Sequence, residues 1–117
     1  MIQITPQMRV LVGVGPADFR AGIDGLAERC RTVLETDPLS GAVFVFRNKR
    51  RTAIKVLVYD GQGFWLCHKR LSTGRFRWWP SSGQESSKRL EAHELAVLVC
   101  GGDPQSTRAV EMWRRVS

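Results

Sequence analysis

Residues 42–79 decide the fold of this chain, and they read AVFVFRNKRRTAIKVLVYDGQGFWLCHKRLSTGRFRWW. Four segments of this stretch combine β-branched or aromatic residues with alternating polarity, which is typical of strands. They are residues 42–46, 53–59, 64–69 and 75–79. Because only short polar linkers separate them, neighbouring strands are expected to pair antiparallel, as a meander.

The flanking sequence predicts further elements on both sides of the meander. Residues 8–14 form a short apolar run closed by Gly and Pro, which indicates a first strand. Residues 22–35 carry apolar side chains at helical spacing, with Asp18 as the candidate N-cap. A polar loop over residues 81–87 precedes a second helix over residues 90–99. The sequence therefore predicts an α+β fold, a small antiparallel meander sheet of about four to five strands packed with one main helix and a short C-terminal helix.

Length and composition predict one domain. The chain has 117 residues, of which 43% are hydrophobic and 25% charged, as in ordinary soluble domains. We expect a core over residues 8–100 and a loosely ordered tail over residues 101–117. The sequence shows neither a secretion leader nor an apolar run near the roughly 20 residues that cross a bilayer, so a cytoplasmic location is expected. Three cysteines without CxxC spacing are expected to be reduced and mostly buried, namely Cys30, Cys67 and Cys100.

Patterns that would indicate catalysis are weak. His68 and His93 have no Cys or His at ligand spacing, and no Ser lies in a GxSxG context. We therefore predict no catalytic residue, no metal and no cofactor. A metal-dependent nuclease using Asp18, Asp24 and Asp60 stays a third hypothesis, although helix capping, ion pairing and turn formation explain these residues more economically.

Positive charge is concentrated in the meander. The net charge is +7, and nine basic residues lie between positions 47 and 77 against one acidic residue, Asp60. Four of the cations belong to the linker RNKRR at residues 47–51, a predicted hairpin tip. Charged tips also keep sheet edges soluble, but cations on neighbouring strands favour a phosphate-binding surface. The predicted nucleic-acid contacts are Arg47, Lys49, Arg50, Arg51, Lys55, Lys69, Arg70, Arg75 and Arg77.

Aromatic residues are interleaved with this charge. Single-strand and RNA binders use such an arrangement to stack bases beside a phosphate track. Alternation along the strands places at least half of these rings in the core, so one face of the sheet is expected to be core and the other basic and wet. The remaining candidates for stacking are Trp65, Trp78 and Trp79.

Several motifs, taken in order, carry a resemblance to a known family. They are DFRAGIDGL (18–26), DPLSG (37–41), VFVFR (43–47), IKVL (54–57), DGQG (60–63), KRL (69–71), GRF (74–76) and WP (79–80). In this order they closely resemble the TnpB-type accessory proteins of the insertion-sequence-sixty-six family of transposable elements. The family-motif residues are Asp18, Arg20, Gly22, Asp24, Gly25, Asp60, Gly61 and Gly63.

The resemblance implies a small non-catalytic protein that is encoded beside a separate transposase and needed for efficient transposition. It runs from the N-terminus to about Pro80, and the C-terminal part, with CGGDP at residues 100–104 and RAVEMWRRVS at residues 108–117, departs from the family pattern. Our first hypothesis is an accessory factor that binds DNA at the element ends, or another nucleic acid, through the basic hairpin. The alternative is a module that docks onto the transposase through residues 18–26 and exposed Trp side chains.

Overall fold

A computed structural model describes residues 4–81 and 83–104. The elements are β1 (Val10–Gly13), α1 (Ile23–Thr32), β2 (Val43–Arg47), β3 (Ala53–Tyr59), β4 (Phe64–Arg70), β5 (Ser87–Leu90) and α2 (Ala92–Val99). The strands form one sheet in the order β4-β3-β2-β1-β5. The predicted α+β class is confirmed, with a β2-β3-β4 meander, one main helix and a short C-terminal helix. The predicted tail lies outside the described residues from residue 105 onward.

The first strand departs from a purely antiparallel sheet. β1 pairs parallel to β2, with Val10 opposite Val43 and Val12 opposite Val45. A parallel pair needs a crossover of a dozen residues or more, and α1 supplies it in the segment between the two strands. The chain therefore begins as a strand-helix-strand unit and continues as the predicted meander.

Both faces of the sheet are covered, which corrects the expectation of one core face and one wet face. Val43 and Val45 of β2 point to the side where α2 packs, and Phe44 and Phe46 point to the side of α1. All four are 0% exposed. The alternation of β-branched and aromatic residues in β2 thus reflects a hydrophobic core on each face of the sheet. It does not indicate one buried face and one solvated face.

Residues 75–79 are not a strand, contrary to the prediction. The alternation is still visible, because Phe76 is buried while Arg75 and Arg77 are exposed. The segment covers the α2 side of the sheet, where the Trp79 indole N–H donates to the carbonyl of Gly13 at 2.8 Å. Side chains alternate between buried and exposed in any extended segment that has one side against the core. Residues 75–79 meet that condition by lying over the sheet, without hydrogen-bonding to a neighbouring strand.

The C-terminal part contains a strand that the sequence did not reveal. β5 reads SKRL, pairs antiparallel with β1 and buries only Leu90, so it lacks an apolar alternation. Helix α2 follows, two residues later than predicted, with a reciprocal capping box between Glu91 and Glu94. No helix of residues 4–81 and 83–104 is long and apolar enough to cross a membrane.

Helix α1 is shorter than predicted at both ends. It starts after Gly22, and Asp18 does not cap it, because the Asp18 carboxylate accepts the backbone N–H of Arg20 in the preceding loop. It ends at Thr32, and the following turn includes Glu35 with φ 51°. Of the cysteines, Cys30 is buried in this helix, Cys67 is half-buried and Cys100 is exposed, so the expectation of burial holds fully for Cys30 alone.

Gly25 allows the loop before α1 to pack against the first turn of the helix. A β-carbon at position 25 would lie 2.8 Å from the Cβ of Ala21, which is closer than two carbons approach. We expect Gly25→Ala to lower the free energy of unfolding by about 1 kcal/mol or more, because this overlap outweighs the gain of about 0.5–1 kcal/mol in helix propensity. Urea denaturation followed by circular dichroism measures the change. Gly63→Ala is the control, since no atom lies within 4 Å of its added β-carbon and its φ is not positive, and equal stability of both variants would contradict the prediction.

Candidate nucleic-acid interface

The connection between β2 and β3, residues 48–52, forms the tip of the hairpin, and the side chain of Asn48 stabilises it. Its side-chain oxygen accepts the backbone N–H groups of Thr52 at 2.9 Å and Ala53 at 3.2 Å. Its side-chain amide donates to the Thr52 hydroxyl at 2.8 Å. Because one side chain spans the whole tip, the cations between positions 48 and 52 have a fixed backbone behind them.

A second loop lies against this tip. The N–H of Leu71 donates to the Thr52 carbonyl at 2.8 Å, and the N–H of Phe76 donates to the Arg51 carbonyl at 2.7 Å. Between these two anchors the chain turns at Gly74, whose φ of 72° is unfavourable for other residues. The two bonds bring Arg75 next to the tip, although it is far from the tip in sequence.

The two loops enclose a cleft of about 760 Å³. Two segments contribute its walls, and the lining that residues 4–81 and 83–104 provide contains three cations and no carboxylate. All three cations are exposed. We refer to this feature as the cationic cleft, and its lining residues are Lys49, Arg50, Thr52, Gly74 and Arg75.

Arg47 supports the tip from below and does not line the cleft. Its guanidinium donates to the carbonyls of Val14 at 3.3 Å, Asn48 at 3.2 Å and Lys49 at 3.4 Å. Partial burial, and secondarily the charge of Arg51, lowers the pKa of Arg47 from its usual value. The side chain therefore joins the end of β1 to the base of the tip.

Lys55 is placed away from the other predicted contacts. It is 8% exposed and lies on the α1 side of β3. Its ammonium donates to the carbonyls of Phe19 at 2.9 Å and Ala21 at 3.0 Å, and lies 5.1 Å from the centre of the Phe19 ring. The structure thus gives Lys55 an internal role, holding the loop that precedes α1, and we leave it out of the candidate interface.

The remaining predicted cations are distributed around the cleft. Arg70 is exposed at the end of β4, opposite Ala53 and so close to the tip. Lys69 points to the other face of the sheet, where its ammonium donates to the Val99 carbonyl at 2.6 Å. Arg77 is exposed beyond the cleft, and Arg51 is half-buried with φ 60°.

The three tryptophans that we predicted to stack bases do not surround the cleft. Trp79 is 5% exposed and Trp78 packs against the core, whereas Trp65 is 42% exposed. The Trp65 indole donates to the Asp60 carboxylate at 2.8 Å, at the end of the hairpin remote from the tip. Arg70 follows Trp65 by five positions along β4, a distance of about 17 Å. The interleaving of rings and charges in the sequence therefore does not become an interleaved surface.

The family-motif residues shape two loops. The Asp18 carboxylate accepts a hydrogen bond from the Arg20 guanidinium at 2.9 Å. Hydrogen bonds from the side chain and the backbone of Arg20, and then the charge of Arg20, lower the pKa of Asp18 from 3.8 to about 2. Asp60 accepts the backbone N–H groups of Gln62 and Gly63, which lower its pKa. Turn formation, the interpretation that we favoured for Asp60, therefore accounts for its contacts. In the part of the chain that the structure describes, no three acidic, His or Cys side chains gather as metal ligands would.

Comparison with known proteins identifies the family. A family model described as IS66 Orf2 like protein matches residues 8–109. The chain belongs to the IS66 Orf2-like family. It is thus a transposition-associated protein of the insertion-sequence type, as the sequence motifs implied. The match extends beyond Pro80 through β5 and α2, further than the motifs alone indicated.

Relatives of this IS66 Orf2-like protein occur in Sinorhizobium fredii (strain NBRC 101917 / NGR234). The protein named "Uncharacterized protein y4hO" is 37% identical over 110 residues, covering 92% of this chain and 94% of the relative. "Uncharacterized protein y4jC" is 34% identical over 103 residues, covering 88% and 86%. No solved structure matches the chain with significance.

Lys55 provides a test of the internal role that the IS66 Orf2-like fold gives it. Lys55→Met keeps most of the side-chain volume but leaves two partly buried carbonyls without their donor, so the free energy of unfolding should fall by about 2 kcal/mol. Urea denaturation gives the value. The exposed Lys49→Met change should stay within about 0.5 kcal/mol of the unaltered protein, and equal losses at both positions would argue against an internal role.

Asp18 and Arg20 make a prediction about pH. In NMR titration the Asp18 carboxyl should titrate near 2, and Arg20→Ala should raise this midpoint toward 3.8. Since the pKa is lowered in the folded protein, the contribution of the pair to stability is present above pH 3.8 and is lost as the pH falls toward 2. Arg31→Ala is the control, because Arg31 pairs with Glu28. If Arg20→Ala leaves the titration midpoint of Asp18 unchanged, the ion pair does not form in solution.

Proposed function

We propose that this protein is a non-catalytic accessory factor of transposition that binds DNA through the phosphates that enter the cationic cleft. The observation that carries the proposal is the convergence of Lys49 and Arg50 from one loop with Arg75 from another. Two backbone hydrogen bonds hold these loops together, so the backbone positions that carry the cations are fixed relative to each other before any ligand arrives. Two loops already held together lose less conformational entropy on binding than two independently mobile loops do.

The chemistry of the lining suits phosphate. Arg side chains offer paired donors to phosphate oxygens, Lys offers a point charge, and the Thr52 hydroxyl adds a neutral polar group. Within the part of the chain that the structure describes, no carboxylate in the lining opposes an anion. Contacts of this kind release condensed counterions and therefore give affinity that falls with salt and depends little on base sequence.

The lining of the cleft favours a duplex backbone over a single strand. Proteins that bind single strands stack bases on aromatic side chains beside the phosphate track. Among the described residues no aromatic side chain lines the cleft, and Trp65, the exposed tryptophan of that part of the chain, lies about 17 Å along the hairpin. Phosphate contacts without a stacking platform are what a duplex backbone requires.

The proposal of a non-catalytic role has its support in the placement of the carboxylates. Asp18 pairs with Arg20, Asp60 caps a turn, and Asp24 lies in the first turn of α1. These contacts give the nuclease hypothesis no support. Asp18 and Asp60 instead organise loops, which is a structural task.

The experiment compares two triple variants of identical composition. Lys49→Glu, Arg50→Glu and Arg75→Glu reverse the cleft, while Arg9→Glu, Lys88→Glu and Arg89→Glu reverse the same residue types on β1 and β5 or beside them. Binding to labelled element-end duplex, unrelated duplex and single strand is measured at several salt concentrations. The cleft variant should lose binding by at least about a hundredfold and reduce the salt slope by roughly 3, whereas the control variant should keep most of both.

The possible results separate the two functional hypotheses. Equal losses in both variants would show that net charge acts and that the cleft does not. If the unaltered protein fails to bind any nucleic acid at low salt, the proposal is wrong, and docking onto the transposase becomes the better hypothesis.

A further inference from the structure

Strand β4 lies at the edge of the sheet. It has seven residues, contains no proline and pairs with β3 over its full length. Among residues 4–81 and 83–104, no other strand pairs with its outer side. A long regular edge with unpaired backbone groups is a template for another strand, and proteins usually shorten, bend or cover such an edge.

The hydrogen-bond pattern of the hairpin shows which groups of β4 face outward. The N–H of Asp60 donates to Gly63 at one end of the hairpin, and the N–H of Leu71 donates to Thr52 at the other. In an antiparallel ladder, hydrogen-bonded residue pairs alternate with pairs that are not hydrogen-bonded. The backbone groups of Cys67 therefore form hydrogen bonds with β3, while Leu66 and His68 direct their backbone groups outward. The outer edge thus offers donors and acceptors on alternate residues from Phe64 to Arg70.

We propose that β4 pairs antiparallel with β4 of a second copy of this chain, so that a two-fold axis passes beside Cys67. Cys67 is the middle residue of β4, and a two-fold axis there brings all seven residues into register with the partner strand. The outward groups of Leu66 then pair with those of the partner's His68, and each such pair exchanges two hydrogen bonds. Ten strands would form one continuous sheet.

The side chains of β4 complement each other in this register. Trp65 lies opposite the partner's Lys69 on the α2 face, and Phe64 lies opposite the partner's Arg70 on the α1 face. Each cation therefore meets an aromatic ring, a favourable contact, and no cation lies opposite another cation. The exposed side chain of Trp65, which the cationic cleft does not use, receives a partner. β4 carries aromatic rings at one end and cations at the other, and this match identifies the occupant of the edge as a second copy of the chain.

Charge exchange tests the register in solution. The chain has a mass of 13.2 kDa, and sedimentation equilibrium of the full-length protein should show twice that mass. Trp65→Lys places two pairs of like charges across the axis and should weaken the dimer by about tenfold. Adding Lys69→Glu to this variant creates opposite charges at the same positions and should restore the dimer. Urea denaturation of both variants reports whether the monomer fold is retained.

Oxidation provides an independent test of the same axis. Cys67 and the partner's Cys67 would lie directly opposite each other as a pair without backbone hydrogen bonds between them. The Cα atoms of such a pair are about 4.5 Å apart, within the range of about 4.4–6.8 Å that disulfides require. Diamide accepts the two electrons and two protons that the two thiols release as the S–S bond forms. Cys100→Ser should still yield a reducible dimer on gel electrophoresis, and Cys67→Ser should not.

A monomer at every concentration would overturn the proposal. So would a dimer that Trp65→Lys leaves unchanged, or cross-linking that requires Cys100 and not Cys67. The cleft variants used for DNA binding leave β4 unaltered, so the proposed dimer and the proposed DNA site can fail independently.

Discussion

The burial of β2 on both faces is the constraint on which the rest of the structure depends. Every residue from Val43 to Phe46 is fully buried, and the strand has a parallel neighbour on one side and an antiparallel neighbour on the other. Valines cover one face and phenylalanines the other, so each face needs its own layer. Helix α1 forms one layer, while α2 and the segment around Phe76 and Trp79 form the other. Since the tip follows directly from β2, the backbone that carries its cations is attached to a fully buried strand.

The β2-β3-β4 meander and both helices could be predicted from the sequence because the signals for them are local. Turn residues such as Asp60 and apolar periodicity act within a few positions, and hydrophobic patterning locates elements of that kind. The parallel pairing of β1 and the strand β5 depend on distant partners instead. β5 is polar because it lies at an edge, and only Leu90 reaches the core. Its pairing with β1 is a backbone property that side-chain patterns do not record.

Prediction of the site had a similar limit. The sequence identifies the basic region but treats all of its cations alike. Lys55 differs from its neighbours only because the loop at Phe19 and Ala21 presents two carbonyls to it across the sheet. Arg75 belongs with the tip only because Phe76 bonds to the Arg51 carbonyl. Thr52 and Gly74 were missed for the same reason, although Asn48 four residues before Thr52 is a local signal for an organised turn.

The two proposed surfaces occupy different ends and edges of one sheet, and this has a geometric consequence. The cationic cleft lies at the tip end of the sheet, and β4 runs from the opposite end toward it. An antiparallel partner along β4 would therefore place its own cleft at the opposite end of the joined sheet. The two clefts would then lie at least about 20 Å apart, the length of the seven-residue strand. At that separation each copy of the dimer could hold its own duplex segment, and two element ends are the DNA segments that transposition must bring together.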